Sequence, residues 1–284
     1  MMMIRLIGVL LIAMTGFVSC QKTTDTLPIE TPTEDSTCRI VKLHLGALDA
    51  NDTVFTYLYD DQNRLVTIVD KGSDGVEFKY VFEYDGVGKV KQVQFLSDNV
   101  GPDPNKFELI TKADYIYNGS LLVKIEIQND FYPMVLDVTF EYDGDGKQVK
   151  RSTEGIFMST PIKDYITYEY DPKGNISRKR WYENDTLAGI SEFTYNNEEN
   201  IIKAFGLGME SIVSYSLGID HDAYLNTNNL TSIVDKESDG SVYSLQEITY
   251  IKDSTNRIIK LQSKCVKGYL APGVFSYHFF YDCK

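Results

Sequence analysis

The chain has 284 residues, 43% of them hydrophobic, enough for one sizeable core, and its 20 Tyr and 14 Phe favour strands over helices. Its 28 basic and 41 acidic residues give a formal net charge of −13, the wrong sign for a nucleic-acid footprint. His44, His221 and His278 have no metal-ligand spacing, and the sequence carries neither a Gly-x-Ser-x-Gly elbow nor a phosphate-cradling glycine loop, so no metal, cofactor or catalytic residue is assigned.

The first segment is a targeting signal. Met1 to Arg5 is a short head with one positive charge, and Leu6 to Val18 is an apolar run too short for an ordinary membrane span. The run ends at Phe17-Val18-Ser19-Cys20, which resembles the lipobox of bacterial lipoproteins, although Phe17 stands where that motif usually has leucine. The resemblance implies that residues 1–19 are removed and that Cys20 carries a lipid. Residues 20–37 then hold that cysteine and a disordered tether with six threonines, Pro28 and Pro32. Fully extended, the tether reaches roughly 50 Å.

Residues 38–284 read as a single β domain built on one repeated unit. In Tyr168-Glu169-Tyr170-Asp171-Pro172-Lys173-Gly174-Asn175-Ile176 the two rings share one strand face and Glu169 takes the other. Asp171 opens a turn by bonding the backbone ahead, Gly174 supplies a positive φ, and Ile176 starts the return strand. Variants follow Tyr57-Leu58-Tyr59-Asp60, Phe82-Glu83-Tyr84-Asp85, Tyr115-Ile116-Tyr117-Asn118, Phe140-Glu141-Tyr142-Asp143, Phe193-Thr194-Tyr195-Asn196 and Ile248-Thr249-Tyr250. The chain closes on Phe279-Phe280-Tyr281-Asp282, the first half of the unit alone. Such periodicity fixes the architecture before any single strand does.

The predicted fold is all-β: a many-stranded antiparallel meander, about 16–18 strands, of these hairpins. Curling into a large barrel or half-barrel would bury the aromatic face of segments such as Phe78-Lys79-Tyr80-Val81-Phe82-Glu83-Tyr84 and cover the edges. A strand is predicted over 200–205. The strand expected after Phe205 is missing, and a short helical or loop cap is predicted near 206–229, before the pattern resumes at Asn228-Asn229-Leu230. Gln148 occupies a position where an apolar residue is expected.

Strand direction follows from the unit. Strands ending in Tyr-Asp run toward one end, and strands opening with Asn-Arg-Leu or Asn-Asn-Leu run away from it. Cys38 and Cys283 then lie at the same end and, if the sheet closes, are neighbours able to form a disulfide. Cys265 ends at the opposite end and is expected to be a free thiol.

Few clusters suggest chemistry. Asp220-His221-Asp222 is the best of them, and a solvated polar loop explains it as well. Asp143-Gly144-Asp145-Gly146-Lys147 departs from a calcium loop at Lys147 and Gln148, and a hairpin turn accounts for it. Trp181-Tyr182, following Arg178-Lys179-Arg180, could stack on a sugar or belong to the aromatic core, and Phe131-Tyr132 is a lesser case.

The Tyr-x-Tyr-Asp-x-x-Gly-Asn-Ile pattern resembles the YD repeats of bacterial surface and toxin-shell proteins. Together with the lipobox cysteine, the threonine-rich tether and Asn-Asn-Leu-Thr-Ser-Ile, it resembles a family of bacterial envelope lipoproteins described as having a porin-like β-barrel fold. That resemblance implies the barrel and implies no activity. The expected role is a non-enzymatic, lipid-anchored envelope protein of the outer membrane, facing the periplasm or the cell surface, that binds or scaffolds. It would meet the membrane through the lipid anchor alone and take a glycan or protein partner. The alternatives are a glycan- or polymer-binding module of a surface uptake system, and a hydrolase with a site at the capped opening using His221 and Asp222. Strands of six to nine residues with ionic side chains inside them argue against a membrane-spanning barrel.

Overall fold

The computed structural model describes residues 38–46, 53–72, 75–99, 106–129, 131, 133–201, 222, 225–268 and 273–283. They form sixteen strands: β1 (Cys38–Leu45), β2 (Thr53–Tyr59), β3 (Leu65–Lys71), β4 (Glu77–Tyr84), β5 (Val90–Ser97), β6 (Glu108–Asn118), β7 (Leu121–Asn129), β8 (Met134–Tyr142), β9 (Gln148–Phe157), β10 (Thr160–Tyr170), β11 (Ile176–Glu183), β12 (Thr186–Glu199), β13 (Asn228–Glu237), β14 (Val242–Lys252), β15 (Ile258–Lys267) and β16 (Gly273–Cys283). Each pairs antiparallel with its sequence neighbours, and β16 pairs with β1, so the sheet closes into a barrel. Closure removes both edges, which satisfies the strand backbone without a covering element.

The repeated turn is the same object in five hairpins. Asp60, Asp85, Asp143, Asp171 and Asp253 each accept, on Oδ1, the amides two and four residues ahead; for Asp171 these are Lys173 at 2.8 Å and Asn175 at 2.9 Å. The residue three after each aspartate has positive φ, at Asn63, Gly88, Gly146, Gly174 and Asn256. Asn and Gly tolerate that conformation, and the resulting bulge fits the twist of the strands. All these turns lie at one end of the barrel, which we call the Tyr-Asp rim.

The tyrosine before each turn joins neighbouring hairpins. Tyr84 donates its hydroxyl to the Leu65 carbonyl at 2.7 Å, Tyr142 to Leu122 at 2.7 Å and Tyr170 to Gln148 at 2.7 Å. Tyr59, Tyr195, Tyr250 and Tyr281 do the same to Ile40, Ile176, Leu230 and Ile258. Four of these rings carry a cation, Arg39 over Tyr59, Arg64 over Tyr84, Lys147 over Tyr170 and Arg257 over Tyr281, and so does Tyr117 at the equivalent position, under Lys89. Aspartate thus closes each hairpin on itself, and tyrosine fastens it to the previous one.

The barrel interior is packed. One cluster takes Leu43 from β1, Tyr57 from β2, Ile68 from β3, Ile125 from β7, Leu136 from β8, Ile233 from β13 and Tyr277 from β16. The aromatic face of β4 joins it, with Tyr80 against Phe95 at 4.7 Å. The outer wall carries ion pairs: Lys124–Asp137 at 3.0 Å, Lys150–Glu141 at 2.9 Å, and Glu192 with Arg178 at 3.0 Å and Lys236 at 2.6 Å.

Two expectations need correction. β12 runs on to Glu199, and of the strand predicted over 200–205 Asn200 and Ile201 belong to no strand, Ile201 standing in a 3₁₀ turn, while residues 202–205 lie outside the described residues. No strand is missing either, because β12 pairs directly with β13 and the alternation of directions is unbroken. The extra residues are an insertion into one more Tyr-Asp-type turn, between Tyr195 and Asn228. Of the cap expected near 206–229, residues 206–221, 223 and 224 lie outside the described residues, and Asn228 and Asn229 already belong to β13.

Candidate binding site: a polar sector of the inner wall

Eight strands rise from the Tyr-Asp rim, and the repeat assigns each of them two buried inward positions. These are Ile40 and Leu43, Leu65 and Ile68, Val90 and Val93, Leu122 and Ile125, Leu230 and Ile233, and Ile258 and Leu261. Two strands break the rule. β9 places Gln148 and Arg151 there, and β11 places Ile176 and Lys179. Between them β10 turns Tyr168 inward.

The polar character continues along the same wall. Strand side chains alternate with period two, so Asp164, four residues before Tyr168, shares its inward face, and it pairs in register with Glu183 of β11. Burial together with the Glu183 charge pushes the Asp164 carboxyl up to about 6. On β12, Ser191 donates to Asp235 of β13 at 2.7 Å. From β9 to β13 the inner wall therefore carries Arg151, Asp164 and Lys179 among its apolar side chains, whereas the other strands are mainly apolar there, although Ser97, Thr111, Ser244 and Ser263 are also buried on them.

Arg151 and Lys179 receive an aspartate from the insertion. Arg151 Nη1 donates to Asp222 Oδ1 at 2.7 Å, and Lys179 Nζ stands 3.6 Å from Asp222 Oδ2. Side-chain exposures of 3% for Arg151, 9% for Lys179 and 1% for Asp222 place the three charges out of water. Removing one partner from such a buried pair costs about 3–5 kcal/mol, because the other charge is left stranded.

Asparagines seat the aspartate. Asn175 Oδ1 accepts the amides of Thr227 at 2.9 Å and Asn228 at 2.8 Å. Asn226 Oδ1 accepts the Ile176 amide at 2.6 Å and the Tyr195 hydroxyl at 2.9 Å. Asn200 donates from its side chain to the Asn226 carbonyl at 3.1 Å, and Asn229 Oδ1 accepts the Ile201 amide at 2.8 Å. Leu225 donates to the Asp222 carbonyl at 3.0 Å, which links the aspartate to this clamp.

The structure separates the residues that the sequence grouped. Trp181 and Tyr182 are consecutive in β11 and so face opposite walls: Trp181 shares the inner face with Lys179, while Tyr182 stacks outside on Tyr165 at 4.5 Å. They do not form one stacking platform. Asp222 stands against Arg151 and Lys179; His221, Tyr132 and Cys20 lie outside the described residues. Phe131 is exposed at the end of β7. Cys38 stands opposite Cys283 in register, Cys283 is disulfide-bonded, and Cys265 is a buried free thiol. Sequence reasoning missed Arg151 and Lys179. The signal was present, since aligning the units shows two cations where every other unit has an aliphatic residue.

The fold is a closed, sixteen-stranded porin-like barrel with a packed interior. Among solved structures the chain is similar to a porin-like protein from Bacteroides uniformis ATCC 8492, with TM-score 0.54 and 15% identity over 86% of this chain and 98% of that one. It also matches a porin-like protein from Bacteroides vulgatus ATCC 8482 (TM-score 0.39, 14% identity, 86% and 98% covered) and the TcdB2-TccC3 structure (TM-score 0.23, 13% identity, 78% and 14% covered). The first likeness shows the fold; the other two are too distant to carry an argument. No family model and no curated protein matches the chain.

Proposed function

We propose that the protein is a lipid-anchored component of the cell envelope, held at the outer membrane through Cys20, and that its barrel binds or scaffolds rather than catalyses. The observation that carries this reading is the inverted polarity of the wall. A lipid-embedded barrel turns an apolar band outward and encloses a polar lumen. Here ion pairs such as Lys150–Glu141 and Glu192–Lys236 stand outside, and the interior is mainly an aliphatic and aromatic cluster, with its buried charges confined in the main to the β9–β11 sector. Attachment then falls to the lipobox-like cysteine, and the tether joins the barrel at the Tyr-Asp rim, where β1 starts at Cys38. Metabolic labelling with a fatty-acid analogue tests it: wild type is marked and fractionates with the outer membrane, and Cys20→Ala is unmarked. Equal labelling of the two refutes the anchor.

A second reading is a glycan- or polymer-binding module of an uptake system. Trp181 favours it, because the ring lies on the inner face beside Lys179 rather than in the aliphatic core. A glycan array in which wild type scores and Trp181→Ala does not supports that reading; unchanged binding by Trp181→Ala removes it.

A further inference from the structure

We propose that the inner wall, between the packed core and the end opposite the Tyr-Asp rim, carries a site for a primary organic ammonium group, formed by Thr153, Asp164 and Glu183 with Trp181 as its floor. The proposal rests on the reading of the barrel as a binding protein and names the chemistry of the ligand; it does not depend on the anchor.

Register sets the polar groups in one row. Val138 of β8 belongs to the core cluster, so its face is the inner one. Thr153 of β9 stands opposite Val138, Asp164 of β10 opposite Thr153, and Glu183 of β11 opposite Asp164. Residues directly opposite in an antiparallel pair share a face, with Cβ atoms about 4.5–5.5 Å apart. Two carboxylates therefore stand side by side, with a hydroxyl next to them. Neither carboxylate has an ion pair or a side-chain hydrogen bond among the described residues. On the outer wall the barrel balances such charges, as where Lys150 stands opposite Glu141 at 2.9 Å. Like charges directly opposite destabilise a sheet, and burial together with the Glu183 charge pushes the Asp164 carboxyl up to about 6. The fold gains nothing from this pair, whereas a bound cation would relieve it.

Thr153 is an independent sign of a ligand. It is 7% exposed, and its hydroxyl has no hydrogen-bond partner among the described residues. A buried hydroxyl ordinarily finds a partner. This one borders the carboxylate row and offers an acceptor to an incoming N–H.

Trp181 precedes Glu183 by two residues and shares its face. It stands opposite Gly189 of β12, where a Cβ would lie 4.0 Å from the indole Cε3. Glycine thus leaves the ring room to lie against the strand. Glu237 of β13 is opposite Gly189, so a third carboxylate borders the indole. An ammonium fits these groups: its charge is attracted to the ring face, and its three N–H donors meet carboxylates and the hydroxyl. A compact metal ion fits them less well, because no three His, Cys, Asp or Glu side chains among the described residues are grouped to hold one. Arg151 and Lys179 lie nearer the rim than this row, against Asp222. The mouth of the lumen is open: Asp164, Trp181 and Glu183 are half-buried, and Phe275, inward by its pairing with buried Ser263, is 46% exposed.

The test follows the emission of Trp181, the single tryptophan of the chain, in the full-length protein in detergent at a pH well above the Asp164 value. Cadaverine and Nα-acetyl-lysine amide present the ammonium as a small amine and as a protein side chain. Sodium chloride and calcium chloride of equal ionic strength are the controls. The expected result is a saturable change in emission with at least one of the two ammonium compounds, and a midpoint raised at least tenfold in the double variant Asp164→Asn with Glu183→Gln. The tighter binder of the two identifies the source of the ammonium. Because the amides relieve the repulsion, the double variant should melt no lower than wild type. No saturable change with either compound, an unchanged midpoint in the double variant, or an equal response to calcium chloride overturns the site. A Tm several degrees lower in the double variant also overturns it, since the carboxylates would then belong to the fold. Failure of this titration strikes the site alone: labelling at Cys20 reports separately on the anchor, and the glycan array on the second reading.

Discussion

Tyr142→Phe tests the claim that tyrosine hydroxyls fasten hairpin to hairpin. The substitution removes one oxygen and keeps the ring, so packing in the cluster beside Phe140 and Leu122 is retained. What is lost is the 2.7 Å hydrogen bond to the Leu122 carbonyl, twenty residues earlier in the chain. A net hydrogen bond contributes about 0.5–1.5 kcal/mol, and a carbonyl left short of a donor in a buried setting adds to the loss, giving about 1–2 kcal/mol. For a domain of this size that lowers Tm by about 2–8 °C. Tyr182→Phe on the outer wall is the control, since its ring stacks on Tyr165 and the change should stay within about 0.5 kcal/mol. Urea unfolding followed by tryptophan fluorescence at Trp181 measures both, with the m-value unchanged. Tyr84→Phe, which frees the Leu65 carbonyl at a distant hairpin, should add to Tyr142→Phe rather than couple with it. If Tyr142→Phe cannot be told from Tyr182→Phe, the hydroxyls do not latch the hairpins and the rim is held by its turns alone.

Gly155 has φ +150°, and a Cβ there would lie 2.1 Å from the Val135 carbonyl oxygen, so Gly155→Ala should lose more than about 2 kcal/mol; Gly146→Ala, at φ +78° in open space, should lose about 1 kcal/mol by the same unfolding assay. Burial pushes the hydroxyls of Tyr59, Tyr84, Tyr142 and Tyr281 up to about 12, against about 10 in the unfolded chain. Their contribution is therefore complete below pH ~10 and lost as pH rises through 12. Tyrosinate absorbance from these rings should appear together with unfolding, and ionisation near pH 10 in an intact fold would contradict their burial. Non-reducing peptide mapping should find Cys38 joined to Cys283, with Cys265 free, and reduction should cost up to about 4–5 kcal/mol for a loop of about 245 residues; a Cys265–Cys283 peptide would contradict the register of β16 on β1.

The repeat made the strands, their turns and their directions legible in the sequence, because those are local matters. Tyr-x-Tyr sets a period of two, aspartate bonds the amides two and four residues ahead, and glycine or asparagine takes the positive φ. Even the juxtaposition of Cys38 and Cys283 followed, since strand direction is inherited from one unit to the next. Tertiary structure alone decided the rest. Closure depends on β16 reaching β1, a pairing that no local pattern encodes. The insertion after Tyr195 looked like a broken unit because its two ends are distant in sequence; in space, Asn175, Asn200, Asn226 and Asn229 hold them together as one turn. Arg178, Lys179 and Arg180 read as one basic cluster, yet alternation sends Lys179 inward to Asp222 and its neighbours outward to Glu192 and Glu169. Asp222 itself reads as loop until the chain is folded, because the two cations that bury it come from strands 43 and 71 residues away along the chain.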